Sequence, residues 1–402
     1  MIAVPNKVWY LLTRLEQNGY EGYLVGGCVR DALLGITPKD WDLCTSAQPA
    51  EIAACFPGEK LSLSGFRHGT VGVVLDGRLY EITSYRTERN YSDGRHPDLV
   101  TFVRDLKEDL SRRDFTVNAM AYHPDKGLVD PWNGQEDLTQ RVLRCVGSPV
   151  LRFQEDSLRI LRGMRFAATY GFQLEKDTAR AAIFCRKGLE QISKERIREE
   201  LFHFLVGAEA GKVLSSFWQI FAKILPECGE KAAEWEKLAD RIDRASEDLI
   251  VRLAILCSDP VRAQAMISRL QLSRKMADEV QTLLQWKEDP SLPLQTSMKY
   301  LLRDTGRQTA RRWIDYQFAL ENEEGYRQRR AVILAQILET GECFSVRQLA
   351  IDGKDLKELG FSGSQLGACL SYLLDQVIMG KTENTLSALR DAARCQRERQ
   401  DG

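Results

Sequence analysis

The chain has 402 residues, with 56 Lys and Arg against 57 Asp and Glu, so it has room for roughly two to four domains but no global field that would attract a polyanion. Ten cysteines and four histidines form no Cys-x-x-Cys pair and no Cys/His cluster, which argues against a zinc site and a disulfide framework and suits a reducing compartment. The N-terminus lacks a basic start with an apolar core, and no apolar run reaches membrane-spanning length, so the expectation is a soluble, cytoplasmic chain without a membrane partner.

Residues 5–18 open with Pro5 and place Val8, Leu11, Leu12 and Leu15 at helical spacing, with a stop near Gly19. Tyr23-Leu24-Val25 then feeds Gly26-Gly27 and a helix-like segment that runs to Gly35. Two glycines ahead of a helix offer bare backbone N–H groups and a positive dipole end, which suits phosphate, and Arg30 is placed to clamp one. A second strand is expected over Trp41–Cys44. Strand alternation would project Asp40 and Asp42 to one side, where two carboxylates repel unless a cation lies between them. Oxygen-only ligands favour a hard ion such as Mg2+, bound through one or two carboxylates and substrate phosphate. Ala50–Phe56 reads as a short helix. Thr70–Leu75, the turn Asp76-Gly77 and Leu79–Tyr85 read as a hairpin. Glu81 lies on its return strand; beside an Asp pair it could complete the metal shell and take the proton of an attacking hydroxyl. Arg86–Val100 is polar and aperiodic, a long loop of the kind that often carries function.

Leu106–Leu110 reads as a helix leading into Ser111-Arg112-Arg113-Asp114-Phe115-Thr116, and Val117–Tyr122 with Leu128-Val129 as a last hairpin. A mixed α+β head would close near residue 147. Helical periodicity dominates from there on. In Phe153–Phe166, Asp156, Arg159, Arg162 and Arg165 recur at three-residue steps and would form one stripe on a helix. A carboxylate accepts from an exocyclic amine, and an arginine fork donates to a ring nitrogen and a carbonyl. Cytosine and adenine both show an amine beside a ring acceptor, so one Asp–Arg pair could accept CTP and ATP without a nucleic-acid template. Ser193 is a plausible N-cap for a helix carrying Arg196. No His-Asp dipeptide occurs, which gives no support to an HD phosphohydrolase domain. Residues 289–293 read as a linker. After it Arg303, Arg307, Arg311, Arg312, Arg327, Arg329 and Arg330 concentrate positive charge as a candidate phosphate-tracking surface.

Gly26-Gly27-x-Val29-Arg30-Asp31 followed by Asp40-x-Asp42 resembles the head of the bacterial CCA-adding enzymes, class II tRNA nucleotidyltransferases of the polymerase-beta-like superfamily. Arg112-Arg113-Asp114-Phe115-Thr116-x-Asn118-Ala119 and Glu155-Asp156-x-x-Arg159 match further motifs of that family. The resemblance implies a catalytic head (1–147), a base-recognising neck (148–206), a body (207–295) and a tRNA-binding tail (296–402), the last three all-helical. It implies CTP, ATP and tRNA as substrates, Mg2+ on Asp40 and Asp42, and Glu81 as third carboxylate. Gly26, Gly27, Arg30, Arg113, Asp114, Arg162 and Arg165 would bind nucleotide, Asp114 at the ribose, and Asp156 with Arg159 would read the base. The 86–100 loop would serve the final adenosine. The alternatives are a poly(A) polymerase or a partial CC- or A-adding enzyme, and, outside catalysis, an RNA-binding scaffold with a decayed site. Ser64-Gly65-Phe66-Arg67-His68 stands where poly(A) polymerases typically carry a Gly-Arg-Arg-Phe-like string, which favours the tRNA enzyme.

Overall fold

The computed structural model describes residues 2–89 and 99–401, in two compact units, Met1–Ala239 and Asp240–Gly402. In the first, α1 (Asn6–Gln17) buries Val8, Leu11, Leu12 and Leu15, the face its spacing predicts. It leads through β1 (Gly22–Val25), α2 (Gly27–Leu33), β2 (Leu43–Thr45), α3 (Pro49–Cys55) and β3 (Lys60–Ser62) to the hairpin β4 (Thr70–Leu75) and β5 (Arg78–Ser84). The hairpin turn holds Asp76 and Gly77 at φ +48° and +78°, as a type I′ turn requires. β6 (Arg86–Arg89) and β7 (Leu99–Phe102) pair antiparallel, so both ends of the expected loop are strands; residues 90–98 lie outside the described residues.

α4 (Leu106–Ser111), β8 (Ala121–His123), β9 (Gly127–Val129) and α5 (Gly134–Thr139) complete the head. Residues Thr116–Asn118 form a 3-10 turn where a strand was expected from Val117. The main sheet has seven strands in the order β3-β4-β5-β2-β1-β8-β9, with β2 and β5 parallel and the other pairs antiparallel. This is the mixed α+β sheet expected.

Residue 147 is not a structural break. β10 (Val142–Leu143) pairs in parallel with β11 (Gln173–Leu174), a strand inside the segment expected to be all helix. Between them run α6 (Pro149–Glu155) and α7 (Leu158–Tyr170), followed by α8 (Lys176–Cys185) and α9 (Lys194–Leu205), with Ser193 at the N-cap of α9. α7 crosses so near the head that a Cβ on Gly163 would sit 3.1 Å from the Phe115 ring. Glycine there lets the helix approach, and the approach brings its arginines to the head. α10 (Ala210–Ser216), α11 (Trp218–Ile224) and the start of α12 (Ala232–Arg244) finish the unit, around Phe221 and Trp235, which are fully buried.

The second unit is helical: α13 (Leu249–Cys257), α14 (Pro260–Leu270), α15 (Arg274–Gln285), α16 (Leu294–Glu321), α17 (Glu324–Thr340), α18 (Gly353–Glu358), α19 (Ser364–Ile378) and α20 (Leu386–Asp401). The expected linker joins α15 to α16. Trp313 and Tyr316 belong to the core and not to a basic surface, and Arg303, Arg312 and Arg330 are held by Asp375, Asp248 and Glu288. Three of the seven arginines are therefore spent on structural pairs, while Arg307, Arg311 and Arg329 are exposed. No helix among the described residues is long and apolar enough to cross a membrane, and all ten cysteines are free.

Candidate active site

A cavity of about 720 Å3 opens in the first unit where the end of β1, the segment after α4 and the inner face of α7 meet. Every site residue expected from the sequence lines it except Asp40 and Glu81. Gly26 closes β1 with φ +76° and ψ −130°, a conformation that side chains disfavour, and a Cβ there would lie 3.2 Å from the Arg113 guanidinium. The turn is glycine for both reasons.

The Asp pair departs from the expected strand. β2 begins only at Leu43, so Asp40 and Asp42 stand in the loop before it, with buried Trp41 between two exposed carboxylates. Asp42 faces the cavity. Asp40 turns to Arg78, 3.7 Å away, and is not part of the lining. The parallel pairing of Leu43 with Ile82, carried back one residue, sets Asp42 beside Glu81 on the exposed side of β5. Desolvation, then the negative charges of Glu81 and Asp40, raise the Asp42 carboxyl above its usual value, with Arg113 pulling the other way. Among the described residues no three acidic, histidine or cysteine side chains converge as a ready cage. The donor set is nonetheless all carboxylate oxygen, and its mutual repulsion is what a hard divalent cation relieves.

The arginines are held from behind. Arg30 is 6% exposed; its Nη1 donates to Asn118 Oδ1 at 2.7 Å, Nη2 to Tyr170 Oη at 2.8 Å, and Nε and Nη2 to Asp31. Phe166 and Tyr170 cover its faces at 4.9 and 4.6 Å. The phosphate clamp expected here is thus largely committed to organising the wall, with one N–H of Nη1 left over. Arg113 pairs with the fully buried Asp109 at 3.0 Å, and Arg112 with the same carboxylate at 2.8 Å. Asp114 accepts from Phe115 N and Asn118 Nδ2 on one oxygen and from Arg162 Nε and Nη2 on the other, which fills its acceptor sites. Burial alone would raise its carboxyl, but Arg162 and Asn118 hold it well below the usual carboxylate range. As built, Asp114 anchors Arg162, although it was expected at the ribose. Arg165 pairs with Glu200 at 2.9 Å. Desolvation pushes its guanidinium down from the ordinary value, with Arg162 and Arg30 adding to the shift against Glu200.

The single stripe Asp156–Arg165 also needs correction. α6 stops at Glu155 and α7 starts at Leu158, so Asp156 lies in the break in extended conformation (φ −145°, ψ 104°). Its Oδ1 accepts from Leu158 N at 3.0 Å and its Oδ2 from Arg196 Nη2 at 2.8 Å. Arg159, 9% exposed, donates instead to Glu155 Oε2 at 2.5 Å and to the carbonyl of Arg112 at 3.2 Å. Asp156 and Arg159 share the cavity wall but are oriented by different partners. Arg196, Lys39, Arg112, Asn118, Tyr170 and His203 also line the cavity and were not among the expected site residues. Asn118 could have been taken from its own Arg-Arg-Asp-Phe-Thr string. Tyr170 carries no local signal, since its contact with Arg30 spans 140 positions.

Eight cationic side chains of the lining (Arg30, Lys39, Arg112, Arg113, Arg159, Arg162, Arg165, Arg196) face three carboxylates (Asp42, Asp114, Asp156). Such a wall takes a polyanion, and its mixed sheet, glycine turn and acidic loop define a nucleotidyltransferase head joined to a helical neck. The family description "Poly A polymerase head domain" matches residues 22–144, and "Probable RNA and SrmB- binding site of polymerase A" matches residues 171–229. The chain is 33% identical over 398 residues to the CCA-adding enzyme of Enterococcus faecalis, covering 97% of this chain and 95% of the relative. It is 39% identical to that of Geobacillus thermodenitrificans over 68% of each. The crystal structure of the Bacillus stearothermophilus CCA-adding enzyme in complex with CTP superposes with a TM-score of 0.77 at 29% identity, over 98% of both chains. That of Thermotoga maritima, complexed with tRNA_CCA, shares the fold with a TM-score of 0.71 at 20% identity, over 98% of this chain and 96% of that one. The chain belongs to the CCA-adding enzyme family.

Proposed function

We propose that this chain adds C, C and A to the 3′ end of tRNA from CTP and ATP, without a nucleic-acid template and with release of pyrophosphate. The observation that carries the reading is one cavity bordered by the glycine turn, Asp42 and the Asp156/Arg159 wall. The terminal 3′-hydroxyl attacks the α-phosphate in line. Gly26 and Gly27 bring bare backbone to the triphosphate, and Arg113, Arg162 and Arg165 offset its charge. Asp156, oriented by Arg196 and Leu158 N, accepts the exocyclic amine of cytosine or adenine, and Arg159 donates to the ring acceptors. Glu81, beside Asp42, receives the hydroxyl proton.

Asp42 with the adjoining Glu81 would hold Mg2+, and Asp40, close enough to raise the Asp42 carboxyl, would join them on leaving Arg78. When bound, the metal supplies Lewis-acid chemistry, lowering the pKa of the attacking hydroxyl and neutralising the leaving group. The head (1–147), neck (148–206), body (207–295) and tail (296–402) are functional divisions laid over the two compact units, with tRNA held by the helical half. Ten free cysteines, eight of them buried, suit a cytoplasmic setting.

The test is incorporation by the purified chain with each NTP separately, on tRNA transcripts ending before CCA, after C and after CC. C, C and A in that order are expected. Long tails from ATP alone on any RNA would assign it as a poly(A) polymerase, and incorporation confined to C or to A would make it a partial enzyme.

A further inference from the structure

A second cavity, of about 750 Å3, lies wholly within the second unit, bordered by the start of α13, the later part of α16 and α17. Three features meet there. Its wall is apolar on one side, where Ala331, Ala335 and Leu338 face the cavity over the buried Val251, Ile314 and Leu334. Its rim carries Arg307 and Arg311, one helical turn apart and both exposed, and among the described residues neither makes an ion pair. Arg312 beside them is by contrast spent on Asp248 and Glu279, each at 2.8 Å. Helical geometry breaks at Gly306 (φ +78°, ψ 171°), so a new run starts at Arg307 and its first turn borders the same rim. The third feature is Asp315, 9% exposed. One of its oxygens accepts from Ser246; the other, Oδ1, is buried and makes no hydrogen bond, with the Arg327 guanidinium 3.6 Å away.

Like charges one turn apart disfavour each other unless an anion lies between them. A phosphate would satisfy Arg307 and Arg311 but would leave the apolar wall uncovered. A purely apolar ligand would cover the wall but leave the rim charge of Arg307 and Arg311 unmet and Asp315 Oδ1 without a hydrogen bond. A nucleotide supplies all three complements at once: a phosphate for the rim, a flat base for the wall and an exocyclic amine for Asp315 Oδ1. We infer that this cavity receives one unstacked, amine-bearing nucleotide of the bound RNA. The inference rests on the tRNA-directed reading above and adds to it a discrete recognition pocket away from the catalytic cavity.

The test uses the full chain and two variants. Ala335→Trp, at an exposed position of α17 on the lining, fills the cavity without changing charge. Arg307→Gln/Arg311→Gln removes the rim. Affinity for a tRNA transcript is measured by fluorescence anisotropy at two salt concentrations, alongside steady-state CTP incorporation. Ala335→Trp is expected to weaken tRNA binding about tenfold and raise the KM for tRNA equally, with the KM for CTP and kcat at saturating tRNA unchanged. The double arginine variant should weaken binding and reduce the salt slope by about one. Wild-type binding by Ala335→Trp would overturn the inference, since any loss confined to the arginine variant then means phosphates tracked on an open surface. Competition of free AMP or CMP with tRNA, abolished by Ala335→Trp, would likewise overturn it in favour of a free-nucleotide site. If the wild type binds tRNA but incorporates no CTP, the catalytic reading fails, and the cavity is still judged by binding alone.

Discussion

Replacing Arg196 with methionine isolates the orientation of Asp156 from its chemistry. Arg196 Nη2 lies 2.8 Å from Asp156 Oδ2, and the two side chains are 18% and 14% exposed. Methionine keeps length and apolar bulk but removes the charge, leaving Asp156 with the backbone N–H of Leu158, 3.0 Å from its other oxygen. A hydrogen bond between charged, mostly buried partners contributes about 1.5–3 kcal/mol. If that energy holds the carboxylate where it meets the base, its loss reduces discrimination by roughly tenfold to a hundredfold, at 1.4 kcal/mol per decade. The assay is single-turnover incorporation of CTP, ATP, UTP and GTP onto a tRNA transcript ending before CCA. Arg196→Met should lower the preference for CTP over UTP by that factor, and Arg196→Lys should restore part of it. A purely structural defect would slow all four nucleotides alike. If Arg196→Met discriminates like wild type while Asp156→Asn does not, then Asp156 needs no support from Arg196 and the reasoning is refuted.

Asp42→Asn should abolish incorporation and leave tRNA affinity, measured by gel shift, within about twofold; catalysis surviving that change would remove Asp42 from the reacting centre. Gly26→Ala forces a side chain into φ +76° and to 3.2 Å from Arg113, so a loss of about 1–2 kcal/mol in chemical denaturation and a higher KM for CTP are expected together. Asp114→Asn breaks a charged hydrogen bond to Arg162, which is partly exposed and keeps Glu200 nearby, and should cost about 1.5–3 kcal/mol at neutral pH. Because the native carboxyl is depressed, its stabilisation is present above the unfolded value of about 3.9 and is lost as pH falls toward the native one. Thermal melts should therefore show wild type losing stability below about pH 4 more steeply than Asp114→Asn, and parallel curves would contradict the assignment.

Much of the first unit was legible locally. The apolar spacing of α1, the Asp76-Gly77 turn and the alternation through β4 and β5 are properties of short windows, and the structure follows them. The motif strings supplied ten of the twenty residues that line the cavity. Two local readings failed, each where a distant contact overrode a pattern. Asp40 and Asp42 sit before β2 because pairing with β1 and β5 begins only at Leu43. The stripe from Asp156 to Arg165 breaks because Asp156 leaves the helix to meet Leu158 N and Arg196. The first unit also continues past residue 147 without a break, because Leu143 pairs with Leu174 and α7 lies against Phe115.

By itself the sequence determined the kinds of groups available: a glycine turn, oxygen donors, an arginine-rich neck, and neither a Cys/His cluster nor a long apolar run. Asp109 with Arg112 and Arg113, and Glu155 with Arg159, are neighbours one helical turn apart. That Asp114 takes Arg162 and Asp156 takes Arg196 was decided only in three dimensions. Hydrophobic periodicity repeats every few residues and can be read from a window. A long-range charge pair depends on which side-chain ends come within about 3 Å, and that separation follows from the packing of the whole unit.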